Sequence, residues 1–362
     1  MAKKSRIRKT GKTVLIFLNV LASLLLVYPI YIKPLSFVWV NGFLGLITPY
    51  LIVAEILFLI IWFIAKPIRS FISLIALGLS YKALIVLFAL HPGNAFSTKR
   101  KDNQLRILSW NVKGFNGLEP NSTLKLRTED IAYSIQKWNP DIICLQEYNT
   151  NERPGDIANH ATYFNGKYPY SFFSKDYQTL QKDYYAGCII YSKYKIIKAQ
   201  RIAYLNQESL LSATIVKGDD TINIFTTHLA SYRFKQNDFD AIDNATKNKW
   251  SVIRKMKHAF TERAVQAQIV RATLDKSNYP SIITGDFNDV PNSYTYDYIK
   301  GNWQDAFLEK GVGIGATYSG LSPILRIDYI LPNTQWQVKG WESIDENLSD
   351  HHMIMADLLL KK

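Results

Sequence analysis

Acidic, amide and imidazole side chains stand at the ends of apolar, strand-like runs between residues 105 and 358. Carboxylate and amide oxygens are the ligands that Mg²⁺ prefers. Histidines can donate a proton or a hydrogen bond to a developing oxyanion at neutral pH, which a carboxylate cannot. These residue types suit hydrolysis by a water that is activated beside a metal ion. The candidates are Asn111, Glu147, His228, Asp286, Asn288, Asp328, Asp350 and His351.

Six short strings hold these candidates, in the order SWN, LQE, THL, GDFN, RIDYIL and SDHH. One such string is weak evidence, because GDFN alone can be a strand that ends in an Asx turn. The six in this order resemble the signature of the endonuclease/exonuclease/phosphatase superfamily, in a membrane-anchored member of bacterial type. The resemblance covers residues 105–358 and leaves the apolar N-terminal region outside it.

The resemblance implies a metal centre at Glu147, with Asn111 beside it and Asp350 assisting. Mg²⁺ is usually held by one or two carboxylates together with phosphate oxygens of the substrate, and Mn²⁺ is a possible substitute. Lys113 stands where several nuclease members of the family carry an acid. Chemistry with a single metal ion is therefore the expectation.

The resemblance also implies the catalytic roles. Asp286 would activate or orient the attacking water, and Asn288 would position water and phosphate. His351 would contact the scissile phosphate while Asp328 bonds its other ring nitrogen, and His228 would be the second histidine facing the phosphate. The alternatives are structural: Asp328 can cap a turn, and His228 can be a satisfied core histidine.

The substrate is not fixed by this resemblance, because the superfamily hydrolyses DNA, RNA, inositol phosphates and sphingomyelin-type lipids. Residues 101–362 carry 31 bases and 29 acids, which favours a membrane-proximal substrate such as a phospholipid headgroup. A DNA or RNA nuclease is the first alternative, since aromatic residues in 149–182 and 232–257 can stack on bases, contact lipid or pack beneath their loops. A non-catalytic membrane scaffold of the same fold is the second, and no protein partner is indicated.

The elements that position these residues alternate between strand-like and helical runs, with a hairpin over 211–227. Mixed order of this kind predicts an α/β fold, a four-layer sandwich of two β-sheets flanked by helices. A long helical segment, 238–277, carries Arg263 and Gln266, which can contact substrate or face solvent; solvent and surface packing are the favoured expectation. Cys144 and Cys188 lie in apolar runs and are expected to be buried thiols, although a disulfide is allowed outside the cytoplasm.

Residues 1–98 form the other part of the chain and precede a catalytic domain over 99–362. Three apolar stretches, 14–32, 43–64 and 71–90, each have roughly the 20 residues that cross a bilayer. They predict a membrane region of three transmembrane helices, joined to the domain by a linker over 91–101. Glu55, inside the second stretch, is interpreted as a helix–helix contact, with a pairing to Lys82 left open.

Orientation follows from the basic residues that flank these stretches. With the N-terminus in the cytoplasm, eight Lys and Arg lie on the inner side and four on the outer side, as the positive-inside rule requires. Three crossings then place the domain outside, in an integral protein of the bacterial inner membrane.

A reporter enzyme fused after Lys362 tests this orientation. A reporter that works only outside the cytoplasm, such as a periplasmic phosphatase, is expected to be active, because the domain and its C-terminus share one side of the membrane. Activity confined to a reporter that works in the cytoplasm would overturn the assignment.

Overall fold

A computed structural model of the chain divides into an N-terminal helical region and a C-terminal α/β region. The described residues are 2–31, 38–92, 96–101, 103–115, 124–179, 183–206, 208–234, 238, 249–320, 322 and 324–361. The helices are α1 (Ala2–Tyr31), α2 (Val38–Ala65), α3 (Ser70–Leu79), α4 (Tyr81–Leu87), α5 (Leu124–Lys137), α6 (Lys249–Leu274), α7 (Tyr294–Lys300) and α8 (Ala306–Lys310).

Two helices of the described chain are long and apolar enough to cross a membrane: Thr10–Tyr31 within α1, and all of α2. The third apolar stretch departs from the expected straight span over 71–90. It forms a pair, Pro67–Leu79 and Tyr81–Leu87, which is bent by 58°. The chain then leaves the helix and residues Ala89–Leu90 form a strand. The helical region therefore offers two spans, or three if the bent pair crosses as one broken span.

A cluster of polar side chains joins the first three helices. Asn19 donates hydrogen bonds to Glu55 Oε2 at 3.0 Å and to Ser73 Oγ at 2.9 Å. Ser23 Oγ donates to the other carboxylate oxygen of Glu55 at 2.9 Å, and the indole of Trp62 donates to Asn19 at 3.1 Å. Glu55 is fully buried and lies in a helix–helix contact. Because a polar group without a partner is costly in an apolar environment, this network holds the three helices in one arrangement.

The α/β region contains two β-sheets that pack face to face. The first has the strand order β13-β14-β2-β3-β6-β4, with β5 beside β6, and the second has the order β12-β10-β9-β8-β7. Their strands are β2 (Leu105–Asn111), β3 (Ile142–Asn151), β4 (Tyr170–Phe173), β5 (Tyr177–Thr179), β6 (Tyr184–Ser192), β7 (Lys195–Ala203), β8 (Ser209–Lys217), β9 (Asp220–His228), β10 (Ser281–Asp286), β12 (Asp328–Pro332), β13 (Trp336–Ile344) and β14 (Met353–Leu360).

Apolar side chains from both sheets form the central core. Ile107 and Ile190 of the first sheet pack in one cluster with Leu211, Ile224 and Ile282 of the second. Helix α5 covers the outer face of the first sheet, and helices α6 and α7 cover the outer face of the second. The predicted four-layer sandwich of two flanked sheets is confirmed. Cys144 and Cys188 are buried free thiols, which agrees with the favoured interpretation.

The helical region lies directly against the α/β region. Strand β1 (Ala89–Leu90) pairs with β11 (Val312–Gly313), and Arg326 donates a hydrogen bond of 2.6 Å to the carbonyl of Val86 at the end of α4. In α2, Gly42 lies so close to the ring of Phe260 that a Cβ would come within 2.3 Å of it. The start of the predicted linker over 91–101 packs on the α/β region, because His91 forms a hydrogen bond with the carbonyl of Leu308. Residues 93–95 lie outside the described residues.

Candidate active site

Three of the candidate residues lie level with one another on the second sheet. Strand β10 is parallel to β9 and antiparallel to β12, and Asp286 at its end is opposite His228 on one side and Asp328 on the other. Gly285 makes the approach of β10 to β9 possible. Its φ is +143°, and a Cβ at this position would lie 2.0 Å from the carbonyl oxygen of Thr227, so the strand requires glycine here.

The first sheet supplies the other half of the site. Asn111 ends β2, which is parallel to β3, and it lies opposite Gln146 of β3. The next residue, Glu147, has a φ of 48° at a bulge in the pairing of β3 with β6. A bulge re-aims a side chain, and the side chain of Glu147 is 43% exposed although its neighbours in the strand are buried. His351 lies just before β14. The ends of two different sheets therefore meet at one place.

Two carboxylates converge on the amide nitrogen of Asn111. Its Nδ2 lies 3.1 Å from Glu147 Oε1 and 3.0 Å from Asp286 Oδ2. His228 Nε2 is near the same two groups, 3.8 Å from Glu147 Oε1 and 3.6 Å from Asp286 Oδ2. Rotation of the Asn111 amide would present its oxygen at this point instead. The resulting set of hard oxygen donors fits Mg²⁺, which accepts few protein ligands and keeps several waters.

A second group also meets a simple distance criterion for a metal site. Asp286, Asp328 and His351 each place one ligand atom within 4.8 Å of the others. In this group, however, His351 Nδ1 already lies 3.0 Å from Asp328 Oδ2 and 3.2 Å from Oδ1. This contact is a hydrogen bond that orients the ring, and it leaves Nε2 directed toward Asp286 Oδ2 at 3.6 Å.

The charges of the buried residues favour a protonated His351. Burial disfavours its charged form, but the carboxylates of Asp328 and Asp286 outweigh burial and raise its pKa to about 10. Burial raises the pKa of Asp328 to about 6, against the opposing charge of His351. The opposite charges of the pair therefore favour an imidazolium beside a carboxylate. A divalent cation nearby would offset the carboxylates and lower the pKa of His351.

His228 is influenced in the same way. Burial lowers its pKa, but the charges of Glu208, Asp286 and Glu147 outweigh burial and raise the pKa above its ordinary value. Its Nε2 is buried and has no hydrogen-bond partner among the described residues. A core histidine would have its polar atoms satisfied, so this geometry favours a nitrogen kept for a ligand.

Asn288 contacts Asp286, and Asp350 contacts Lys113. The backbone N–H of Asn288 donates to Asp286 Oδ1 at 2.7 Å, and its side chain donates to the carbonyl of Leu229 at 2.9 Å. Asp350 Oδ2 pairs with Lys113 Nζ at 2.9 Å. Lys113 thus supplies a cation at the position where an acid was considered.

The prediction that two residues of α6 lie at the surface is wrong. Arg263 and Gln266 do not face solvent: both are buried. The guanidinium of Arg263 contacts Asp289 at 3.2 Å and the carbonyl of Ala230 at 2.8 Å, and Gln266 accepts a hydrogen bond from the N–H of Ala230 at 2.9 Å. They therefore tie together the chain segments that follow His228 and Asp286, and act as positioning residues.

Two cavities open from the cluster. The larger is about 540 Å³ and includes Lys113, Glu147, Asp286, Asn288, Asp350 and His351 in its wall. The smaller, about 360 Å³, lies on the other side of Glu147 and His228 and is lined in part by Glu208. Sequence reasoning missed Tyr318, whose ring lies 4.7 Å from that of His351, and Glu208, because neither belongs to a recognisable string.

The aromatic loops mostly pack inward. Phe164 and Tyr168 of the 149–182 segment are buried, and Phe164 stacks on Tyr191 with ring centroids 4.9 Å apart. In the 232–257 segment, Tyr232 stacks on Phe234 at 5.2 Å, while residues 235–237 and 239–248 lie outside the described residues. Phe164 and Tyr168 thus pack beneath the first loop, whereas Tyr170 and Tyr177 are exposed.

The model of the endonuclease/exonuclease/phosphatase family matches residues 108–351, a range that contains every candidate site residue. The chain belongs to this family. Members of the endonuclease/exonuclease/phosphatase family hydrolyse phosphoesters, and the chain is a phosphoester hydrolase of this class. A second model, a domain of unknown function (DUF8431), matches residues 12–87, which are the helical region. No curated protein matches the chain.

Solved structures share the family's fold at low sequence identity. An endonuclease/exonuclease/phosphatase from Beutenbergia cavernae DSM 12333 has a TM-score of 0.51 and 19% identity, over 72% of this chain and 72% of that chain. The human Nocturnin catalytic domain with bound sulfate has a TM-score of 0.51 and 18% identity, over 72% of this chain and 95% of that chain. D. rerio TDP2 with a single-strand DNA product has a TM-score of 0.50 and 18% identity, over 71% of this chain and 99% of that chain. These similarities support the fold alone.

Substitution of Asp328 by Asn is expected to lower the pKa of His351, because burial then acts on the imidazole without the carboxylate that outweighs it. The imidazolium would be lost at a lower pH than in the wild type, and kcat at neutral pH would fall on the order of 10²-fold, as for loss of a general acid. Titration of the imidazole resonances by NMR in metal-free protein measures the shift. His352→Gln is the control, since His352 bonds Ser343 instead; an unchanged His351 titration would contradict the pairing.

Proposed function

We propose that the chain is a membrane-anchored, Mg²⁺-dependent phosphodiesterase or phosphatase, with a phospholipid headgroup as the preferred class of substrate. The observation that carries the proposal is the convergence of Glu147, Asp286 and His351 from two sheets at the mouth of one cavity. Mn²⁺ is a possible substitute for Mg²⁺. The reaction is the addition of water to phosphorus and the cleavage of one P–O ester bond, in which the leaving oxygen takes a proton.

Glu147 and Asn111 would hold the cation, with Asp350 at the edge of the site. When bound, the cation supplies neutralisation of the phosphate charge that repels a nucleophile. Glu147 suits this task because its carboxylate is half-exposed and, among the described residues, accepts a single hydrogen bond, from Asn111. Asp350 pairs with Lys113, so a cation bound by Asp350 would share this carboxylate with the lysine ammonium.

Asp286 would orient the attacking water. Its side chain is almost fully buried and is fixed by hydrogen bonds from Asn111 and from the backbone of Asn288, so its position is set before the substrate arrives. A fixed acceptor of this kind lowers the cost of reorganisation in the transition state. The amide of Asn288 lies beside it and would contact water and phosphate.

His351 and His228 would supply positive charge and protons. The hydrogen bond from His351 to Asp328 fixes the ring, so Nε2 is the nitrogen that faces the site. An imidazolium there stabilises charge that develops on the phosphate oxygens and can protonate the leaving oxygen. The unpartnered Nε2 of His228 supports its role as the second donor.

The placement of the domain supports a substrate in the membrane. Helix α2 is long and apolar enough to cross a bilayer, and its first turns pack on α6 through Phe43 and Phe260, with ring centroids 5.3 Å apart. A membrane span at α2 would therefore bring the cavity at the catalytic residues close to the membrane surface. The near-neutral charge of residues 101–362 offers little attraction to a long polyanion such as DNA.

The same contacts support the extracytoplasmic location proposed for the domain. Leu26 and Ile30 near the end of α1, together with Thr48 early in α2, line one cavity with Asn292 and Asp297 of the domain. The domain thus lies on the side where α1 ends and α2 begins. With a basic N-terminus in the cytoplasm, that side is the outer one.

Purified full-length protein is expected to hydrolyse a soluble bis-aryl phosphodiester with Mg²⁺ and to lose this activity with chelator. Asp286→Ala and His351→Ala should each lower kcat by roughly 10²- to 10³-fold, because each removes a group that acts on the transition state. Asp275→Asn is the matched control, since that carboxylate is exposed at the end of α6. Equal rates in the wild type and both site variants would mean that the catalytic centre lies elsewhere in the protein.

A comparison of substrates tests the preference for lipid. Phospholipid vesicles are expected to be hydrolysed faster than plasmid DNA, and the rate on zwitterionic vesicles should change little between about 50 and 200 mM salt, a range over which nucleic-acid affinity falls steeply. Release of phosphorylated headgroup or phosphate measures the first reaction, and nicking on a gel measures the second. Nicking of plasmid without hydrolysis of vesicles would assign the protein to the nucleases.

A further inference from the structure

The wall of the larger cavity has a polar part and an apolar part. The polar part contains the catalytic residues Glu147, Asp286 and His351. The apolar part comes from the helical region and the domain together: Leu46, Ile47 and Tyr50 come from α2, Val252 and Met256 from α6, and Ile324, Leu325 and Ile327 from the segment before β12. A membrane-spanning candidate therefore forms one wall of the site in which the phosphoester is proposed to react.

The wall from α2 continues into an apolar stripe along the helix. Residues three and four apart share one helix face, and Tyr50 is followed on this face by Val53, Leu57 and Ile64, all of which are exposed. From Tyr50 to Ile64 the stripe rises on the order of 20 Å at 1.5 Å per residue, a large part of the roughly 30 Å hydrocarbon thickness of a bilayer. The cavity is thus continuous with a surface that lipid chains cover.

An amphiphile fits this arrangement better than a soluble phosphoester does. A phosphate at the catalytic cluster would have an apolar wall beside it, and a polar substrate would leave that wall in contact with water. A phospholipid would instead cover it with its acyl chain and so remove the apolar wall from water. Exposed apolar surface that adjoins a site and lies in reach of the bilayer marks where such a chain contacts the protein.

We infer that Leu46, Ile47 and Tyr50 of α2 form the acyl-chain wall of the active site, and that a phospholipid substrate reaches the catalytic cluster along α2 while its chain remains on the bilayer side. This inference rests on the proposed function and adds to it: the anchor helix is part of the substrate-binding site. The polar cluster performs the chemistry on any accessible phosphoester, and α2 gives the selectivity for substrates that carry a chain.

Chain selectivity of the full-length protein in nanodiscs tests the inference. The measured quantity is the ratio of kcat/KM for a long-chain phospholipid to kcat/KM for the soluble bis-aryl phosphodiester. Ile47→Trp, which fills the cavity beside α2, is expected to lower this ratio by roughly tenfold or more, because the chain can then no longer cover on the order of 60 Å² of apolar wall. Tyr50→Ser, which makes the wall polar, should lower the ratio in the same direction.

Ile56→Trp is the matched control. Ile56 is on the same helix and is 43% exposed, against 41% for Ile47, but it does not line the cavity, so its substitution should leave the ratio unchanged. A general loss of folding lowers both rates and not their ratio. Ratios equal to the wild type in Ile47→Trp and Tyr50→Ser, with hydrolysis of phospholipid intact, would overturn the inference and leave the proposed function standing. A wild type that hydrolyses the soluble diester and no phospholipid would overturn the proposed substrate itself.

A direct contact measurement gives a second, independent readout. A phospholipid with a photoreactive group on its acyl chain is expected to label the 46–50 segment of Asp286→Asn protein, and unlabelled phospholipid should compete for this label, since the site is specific. Labelling of the α2 residues around Ile56 comes from bulk lipid and should resist competition. Equal competition at both segments would contradict a chain-binding wall.

Discussion

The structure depends on holding several carboxylates close together in a largely buried place. Asp286 and Asp328 are almost fully buried, and like charges at such distances repel strongly where the effective dielectric constant is low. Hydrogen bonds from Asn111 and Asn288, and the charge of His351, compensate this repulsion. Such a centre is stable only if its donors cannot move away. The ends of two packed sheets supply that rigidity, which explains why catalytic groups of this kind are carried on strands.

The bracing extends beyond the residues that contact one another in the cluster. Ser349 donates a hydrogen bond of 2.8 Å to the backbone of Asn111, and the indole of Trp110 donates to the backbone of His351 at 2.8 Å, so the loop before β14 is tied to the end of β2. On the second sheet, the buried ion pair of Arg263 with Asp289 has a similar effect. Removal of one partner would leave a buried charge uncompensated, which costs far more than the pair contributes.

Sequence reasoning could place Asn111, Asp286 and Asp328 because each stands at the end of an apolar run, and strand ends in neighbouring register meet by geometry. Features that depend on tertiary contacts could not be predicted from the sequence. The bulge that turns Glu147 outward depends on pairing with β6, and the burial of Arg263 depends on the Asp289 and Ala230 groups that come together only in the fold. The bend after Leu79 was equally invisible, since Ser80 interrupts an apolar stretch that reads as continuous. The cavity wall from α2 combines residues of two regions that appear independent along the chain.

The polar cluster between the first helices has a consequence for the distant site. Apolar packing tolerates a helix that turns about its own axis, whereas the bonds from Asn19 and Ser23 to the two oxygens of Glu55 have fixed directions. They therefore set the azimuth of α2. One residue advances the helix by about 100°, so a shift of a single position would point Tyr50 away from the cavity. Two polar side chains of α1 thus decide which face of α2 lines the cavity.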